Sequence, residues 1–563
     1  MIVSLRLKKT FIGLKAMVRD SYWYRFLKLR IYGGVILKYR VRRNLDNSNQ
    51  SQILTVDTKK KILIPLIETS HYQFYQILLI AKALELRGAD VRILLCDSLL
   101  PGCEIKSSRN TKVNPCLDCS MNKNLIVPEF DLKTINLSEI VSEDKVRELE
   151  DLADSLLSNY PAYYERFGVD IIRMVNDSVI RYFYGAVPDS DSEEIKRVQK
   201  KFLVSALIGC ETSQKLHSLW APDVVFGSME VYADWAPYHQ YFRNCGVRTS
   251  TVSISQFNYN GLLLNQNDLF RSNVRYTNWL NARQNRCLDE QETSQINNFI
   301  ESRFRGDDKA FVGYGYFDKG QSSIELLDID PEKHNIFLFS NVYWDVGMSE
   351  FSCLYAGVLE WVISTIYLIM DSPTSHLYIK PHPSEVFDIK SAKGVIDEIY
   401  YHFPVLPENI TIVRPEMKIL TYELFPYIDV GVVYNGTLGL EMLFHDIPVI
   451  ACGKTPYGGI NLVAEPDSED SYLELLLGKT DIVKPSKSQV SQFAYFYFIK
   501  TLIPWNFTKT AYGDVFSGFN MKNITEIMPN SDYYLDHICN SIVSSNDDFM
   551  DSWVSPTYVT DVE

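Results

Sequence analysis

An alternating α/β chain with two doubly wound, Rossmann-like parallel sheets in tandem is what this sequence predicts, and three observations predict it. Short apolar runs rich in Val and Ile recur that are too brief for helices. Each is followed by a polar turn and then by apolar residues at i, i+3, i+4, i+7 spacing. The series starts twice, near residue 61 and again near residue 336. With 563 residues and 46% apolar content, the chain can bury about two or three domain cores.

Residues 1–43 hold twelve Lys or Arg and one acid, Asp20, for a net charge of +11, which leaves −25 on residues 44–563 of a chain whose total is −14. The body is therefore no nucleic-acid binder, and the arm is a separate object. Its basic residues alternate with Phe11, Leu14, Trp23, Phe26 and Leu27, the pattern of a helix lying on an anionic membrane surface; a solvated helix docked on the acidic body would look the same. No run of about 18 apolar residues is present for a membrane span, and the arm lacks a secretory signal's apolar core, so the expectation is a cytoplasmic protein, peripheral at the inner face of the cell membrane. Residues 45–59 are polar and read as a linker.

The first series opens with 61–67 (KILIPLI) as a buried strand, a polar turn at 68–71 (ETSH), and a helix from 74 that stops at Gly88. Residues 91–96 form the next strand. Cys96, Cys103, Cys116 and Cys119 follow, with one CxxC pair and two loosely spaced thiols; they would hold zinc or simply stay reduced. Residues 138–220 are helical in pattern and read as an insertion. Strand grammar resumes at 223–226, with a turn at 227–230, a helix to about 245 and a strand at 247–254. The polar stretch 280–330, broken by Gly313, Gly315 and Gly320, makes the domain boundary, so the expected domains are 1–59, 60–330, 331–480 and 481–563.

The second series comprises a strand at 336–340, a long helix over about 349–370, a strand at 377–379, a helix at 391–402, a strand at 410–413, and a βαβ unit at 428–453. In that unit 428–434 is a strand, Asn435-Gly436-Thr437 breaks it, and 438–444 resumes as a helix. Beyond Tyr472 the tail is helical, and its aromatic run at 493–498 (FAYFYF) reads as core packing.

Ligands of such sheets bind at the carboxyl ends of the strands. At that edge of the second domain three strand ends converge: SNVYWD (340–345), KPHPSE (380–385) and YNGTLGLE (434–441). Tyr343 or Trp344 offers an aromatic face, Lys380 a cation, His382 an imidazole, Ser384 and Thr437 hydroxyls, Asn435 an amide and Glu441 a carboxylate, while Gly436 and Gly439 permit close approach to the backbone. Phosphates want N–H groups and cations, a base wants an aromatic surface, and a ribose wants a carboxylate or amide, so the assortment suits a sugar nucleotide. A Thr N-cap on an ordinary turn, a rigid Pro-His-Pro turn and a first-turn acid would leave the same residues. In the first domain Glu68, Glu230 and His71 stand at predicted strand ends, where any of them could take a hydroxyl proton; Glu68 is favoured, then Glu230.

IFLFSNVYWD, YIKPHPSE, the YNGTLGLEMLFHDIPVIACGKTPYG segment and the late aromatic helix resemble bacterial capsule and surface polysaccharide biosynthesis proteins, glycosyltransferases of GT-B architecture that include retaining capsular Kdo transferases. The resemblance is best over 334–505 and weaker over 61–100 and 222–255; PYGGINL (456–462) matches only loosely, which leaves CMP- and UDP-linked donors both open. It implies that Lys380 and His382 contact the donor phosphate, that Thr437 and Gly439 cap it at a helix start, and that Glu441 holds the donor sugar or ribose. The expected function is metal-independent transfer of a sugar from a nucleotide sugar, with no cofactor, to a polysaccharide or lipid-linked glycan acceptor. The alternatives are a teichoic-acid-like CDP-alcohol glycerophosphotransferase, a sugar-nucleotide 2-epimerase, or a non-catalytic polysaccharide-assembly protein.

Overall fold

The computed structural model describes residues 60–69, 73–104, 116–187, 192–254, 261–266, 272–305, 324–344, 352–382, 385, 393–417, 419–482, 484–511 and 515–544. The basic arm, the linker, His71, Ser384 and the three boundary glycines lie outside the described residues.

Two sheets carry the fold. The first begins with β1 (Lys61–Leu66), α1 (Phe74–Leu86), β2 (Asp90–Leu95), α2 (Cys116–Leu125) and β3 (Lys133–Asn136). Three long helices follow a single turn of helix at Leu137–Ile140, namely α3 (Glu143–Ser158), α4 (Ile171–Tyr182) and α5 (Glu193–Trp220), and then β4 (Val224–Gly227), α6 (Ala236–Asn244), β5 (Arg248–Ile254) and β6 (Gly261–Gln266). Its central strands run parallel in the order β3-β2-β1-β4-β5, and β6 pairs antiparallel on the outside of β5. Strand order reverses between β1 and β4, which makes their carboxyl ends the topological switch point.

Helices α7 (Ser272–Ala282) and α8 (Glu290–Phe304) lead to the second sheet, made of β7 (His334–Phe339), α9 (Val358–Ile369), β8 (Ser375–Lys380), α10 (Val395–His402), β9 (Ile410–Ile412), β10 (Val430–Val433), α11 (Leu438–Phe444) and β11 (Val449–Ala451). All five strands are parallel in the order β9-β8-β7-β10-β11, so the switch point lies between β7 and β10. The two sheets repeat one winding pattern, the tandem GT-B-like architecture expected from the sequence.

Alternation along the strands explains why both faces are covered. Ile62, Ile64 and Leu66 enter one apolar cluster and Leu63 the opposite one; Phe337 and Phe339 face one way, Ile336 and Leu338 the other. The helices of 138–220 share a cluster with Leu63, Leu94 and Val225, so they cover a sheet face, and α5 is the crossover returning the chain from β3 to β4.

Two expected elements differ. The helix after β7 starts at Val358, not near 349; residues 353–357 are bends, and extended Gly357 precedes the first turn. The tail is only partly helical. After α12 (Glu469–Leu476) and α13 (Lys487–Tyr495), a π-helical turn Phe496–Lys500 leads into β12 (Ile503–Pro504), which adds antiparallel to the open edge of β6. An edge position tolerates Pro504, which has no N–H to donate. The hairpin β13 (Thr508–Ala511) and β14 (Val515–Phe519) and the helix α14 (Tyr533–Val543) then dock on the first sheet's side, where the Arg87 guanidinium donates to Asp536 and to the Ile527 and Met528 carbonyls. The aromatic run is core, as expected: Phe493 and Phe496 pack on Tyr276 and Trp279, and Phe498 on Phe299. Among the described residues, no helix is long and apolar enough to cross a membrane.

Candidate functional site

At the second switch point, β7 ends in Ser340-Asn341 and β10 in Tyr434-Asn435-Gly436. The Asn435 N–H donates to Asn341 Oδ1 at 3.2 Å, so the two strand ends are tied across the crevice. Gly436 has φ +105, a left-handed conformation that glycine adopts without strain, and its N–H turns back onto Asn435 Oδ1. Ser340 N–H donates to the Lys380 carbonyl at 3.1 Å, which joins the β8 end to the same edge. His382 is half-buried there, with its carbonyl accepting from Glu385 N–H at 3.1 Å. Asn341, His382, Asn435, Gly436 and Thr437 are all partly exposed, and Lys454, three residues past β11, adds an exposed cation at this edge.

Other candidates are placed differently from expectation. Lys380 is 5% exposed, and its ammonium donates to the Ile419 carbonyl at 3.0 Å; burial pushes its pKa down to about 8. It secures the loop after β9 instead of reaching outward. Trp344 is buried, with its ring edge-on to Tyr343, and presents no open face for a base. The Tyr343 hydroxyl lies 3.0 Å from both the Gly185 carbonyl, just past α4 of the first sheet's helices, and the Lys393 carbonyl, just before α10 of the second sheet's, and so faces both layers. Glu441 is 2% exposed; it accepts from Arg303 Nη2 at 3.0 Å, from Thr437 Oγ1 at 2.9 Å and from the Tyr422 hydroxyl. Thr437 accordingly makes no side-chain cap on α11. Gly439 is needed for a neighbour inside the fold: a Cβ there would lie 2.2 Å from the Tyr457 hydroxyl, which donates to the Gly436 carbonyl at 2.8 Å.

At the first switch point, Glu68 stands two residues past β1 and Glu230 three past β4, and both are buried. Glu230 accepts from the Arg243 guanidinium, which holds it as a paired carboxylate. Over the β1 end, Thr69 donates to the Cys119 carbonyl at 2.8 Å and Asn122 donates to the Thr69 carbonyl, so α2 is pinned across that edge. Burial raises the pKa of Cys96 and carries that of Cys119 up to about 11, so both thiols stay protonated. Among the described residues, no group of three or more His, Cys, Asp or Glu is placed to hold a metal ion, so the four-cysteine zinc option has no support there.

Sequence reasoning passed over several residues. Asn341 lay inside SNVYWD, overshadowed by its aromatic neighbours; its position just past a switch-point strand was the signal. Glu385 closes KPHPSE. Its Oε2 accepts from the first helical N–H of α10, Val395, at 2.9 Å, its Oε1 is buried with no partner among the described residues, and burial pushes its pKa up to about 8. Asp234, in the β4–α6 connection, is fully buried, accepts from Glu104 N–H at 3.0 Å, and is pushed up to about 7 by burial. No motif announces it.

The two carboxyl edges meet. The C-terminal half of α4 lies on the first edge, since Ser178 Oγ accepts from Ala233 N–H at 2.9 Å and Arg181 approaches Glu104 at 3.7 Å. Gly185, just beyond it, touches Tyr343 of the second edge.

No family model matches this chain, and no curated protein matches it. Among solved structures, it is similar to the beta Kdo 2,7 transferase of Thermosulfurimonas dismutans KpsC, with 14% identity over 50% of this chain and 80% of that one and a TM-score of 0.30. The beta Kdo 2,4 transferase of the same protein shows 12% identity over 55% of this chain and 88% of that one, at a TM-score of 0.32. A UDP-GlcNAc 2-epimerase from Neisseria meningitidis shows 10% identity over 77% and 97%, at 0.22. At such TM-scores function has to be read from the site itself.

Proposed function

We propose that the chain is a glycosyltransferase that moves a sugar from a nucleotide-sugar donor to a cell-surface polysaccharide or glycolipid acceptor. The observation that carries this reading is the meeting of two switch-point edges, one lined by Asn341, His382, Asn435, Gly436, Thr437 and Lys454, the other carrying Glu68 and Glu230 with Asp234 buried beneath. A transfer reaction needs two substrates held face to face with their reacting atoms aligned, and opposed crevices supply that. The polar second edge suits the donor diphosphate or monophosphate, with Asn435–Thr437 and His382 beside it and Lys454 as the accessible positive charge. Lys380, Trp344, Gly439 and Glu441 hold this edge in shape from beneath. On the acceptor side Glu68 remains the favoured base; Asp234 has the pKa for the task, about 7, but lies beneath the surface.

Thermal-shift screening of the full chain against CMP, UDP, CDP and GDP tests the reading. A ligand at a hundredfold its Kd stabilises by about 2.7 kcal/mol, a readily seen shift. Asn341→Ala and Asn435→Ala should each weaken that response without loss of the fold. No response to any nucleotide would remove the proposal, and acceptor-free breakdown of a sugar nucleotide to an altered free sugar would favour the 2-epimerase instead.

A further inference from the structure

The halves of the molecule are joined in two unlike ways. On one side a single apolar cluster runs through both: Ile62, Ile64 and Phe74 of the first sheet's layers belong with Phe337, Phe339 and Tyr378 of the second. Tyr276, Trp279 and Phe299 meet Phe493, Phe496 and Phe498 within that seam, and Arg303 crosses to Glu441 beside it. On the opposite side, the layer of α3, α4 and α5 has its own cluster, and the layer of α9 and α10 has another. Among the described residues these two do not merge. Between them the described residues place a polar contact: the Tyr343 hydroxyl sits between the Gly185 carbonyl, just past α4, and the Lys393 carbonyl, just before α10.

We propose that Tyr343 is a closure latch, a positioning residue whose hydroxyl bridges Gly185 and Lys393 and holds the two carboxyl edges together while the apolar seam opposite acts as the hinge. An apolar seam of interlocked aromatics resists opening along its whole length, whereas one hydroxyl shared between two carbonyls exchanges readily with water, so any opening starts at the Tyr343 side. The geometry is specific. Gly185 has φ +80, and a Cβ there would fall 2.0 Å from the Tyr343 hydroxyl and 2.8 Å from the Lys393 carbonyl, so only glycine lets the ring come in. The latch also reports on the second switch point, because Tyr343 shares a loop with Asn341, which accepts from Asn435, and with Ser340, which donates to the Lys380 carbonyl. A ligand that tightened that loop would tighten the latch, and one that displaced Asn341 would loosen it.

The test compares full-length wild type with Tyr343→Phe, Gly185→Ala and the double variant, using amide hydrogen exchange and small-angle scattering with no nucleotide added, so that the outcome is independent of the function proposed above. Losing the bridge should speed exchange about threefold to tenfold in peptides covering 183–187 and 393–397, in both single variants, and raise the radius of gyration. The double variant should do no more than either single one. Unchanged exchange at both peptides overturns the proposal; so does a lower melting temperature with an unchanged radius of gyration, the signature of a bond that only stabilises a rigid body. Tyr343→Phe removes a hydroxyl and nothing else, and decides the matter alone if Gly185→Ala does not fold.

Discussion

Replacing Glu385 by Gln should change the pH dependence of stability in a defined direction. Glu385 closes the loop after β8 with 6% exposure, one oxygen receiving the Val395 N–H and the other buried with no partner among the described residues. Burial, against the lowering effect of that hydrogen bond and with a smaller push from Asp397, raises its pKa from 4.5 to about 8. Between those values the folded chain holds a proton that the unfolded chain has released, so the native state is favoured at the acid end and loses stability as pH rises from about 5 to 8. At about 1.4 kcal/mol per unit, the difference across that window is on the order of 3 kcal/mol. Gln is nearly isosteric with the protonated carboxyl and does not titrate. The variant should match wild type near pH 5 and exceed it near pH 8, by a melting-temperature difference on the order of 3 °C for a chain of 563 residues. Melting both proteins side by side across pH 5 to 8 checks this, and parallel curves would refute the claim that Glu385 is a buried, neutral acid.

Arg303→Met should leave Glu441 buried and short of its cation, at a loss of about 3 to 5 kcal/mol, whereas Glu441→Gln should be milder because it removes the charge along with the pair; urea unfolding of each gives the comparison. Gly439→Ala should destabilise by about 1 to 3 kcal/mol through its collision with Tyr457, measurable in the same way, even if no ligand ever touches that glycine. Lys380→Met should remove a titration that opposes stability below pH 8: the folded ammonium has its pKa lowered, so wild-type stability rises as pH passes from about 8 toward 10.5, and the variant should show a flatter profile over that range.

Most of the strands and the winding of both sheets were legible because they depend on local signals. Short Val- and Ile-rich runs such as 61–66 and 430–433 bury both faces and cannot be surface helices, and Gly88 and the Asn435-Gly436 break mark where elements stop. The convergence of three motifs on one sheet edge was legible too, because parallel strands place every strand-to-helix turn at the same end. The start of α9 and the strands of the tail were not. The bends before Val358 carry no sequence mark of their own, β12 is set by an open edge on β6 more than two hundred residues away in sequence, and β13 and β14 pair with each other.

Within the site, composition named the residue types but could not say which way they face. Sequence alone placed Lys380, Trp344, Gly439 and Glu441 at the strand ends; only packing decided that Lys380 turns to Ile419, that Trp344 is core, that Tyr457 fills the space above Gly439 and that Glu441 answers Arg303 from a helix 138 residues upstream. The physical reason is range. Secondary structure and sheet edge follow from interactions within a few residues along the chain, but the exposure of a polar group depends on what distant segments bring against it, and a buried cation or carboxylate takes whatever partner the tertiary fold supplies.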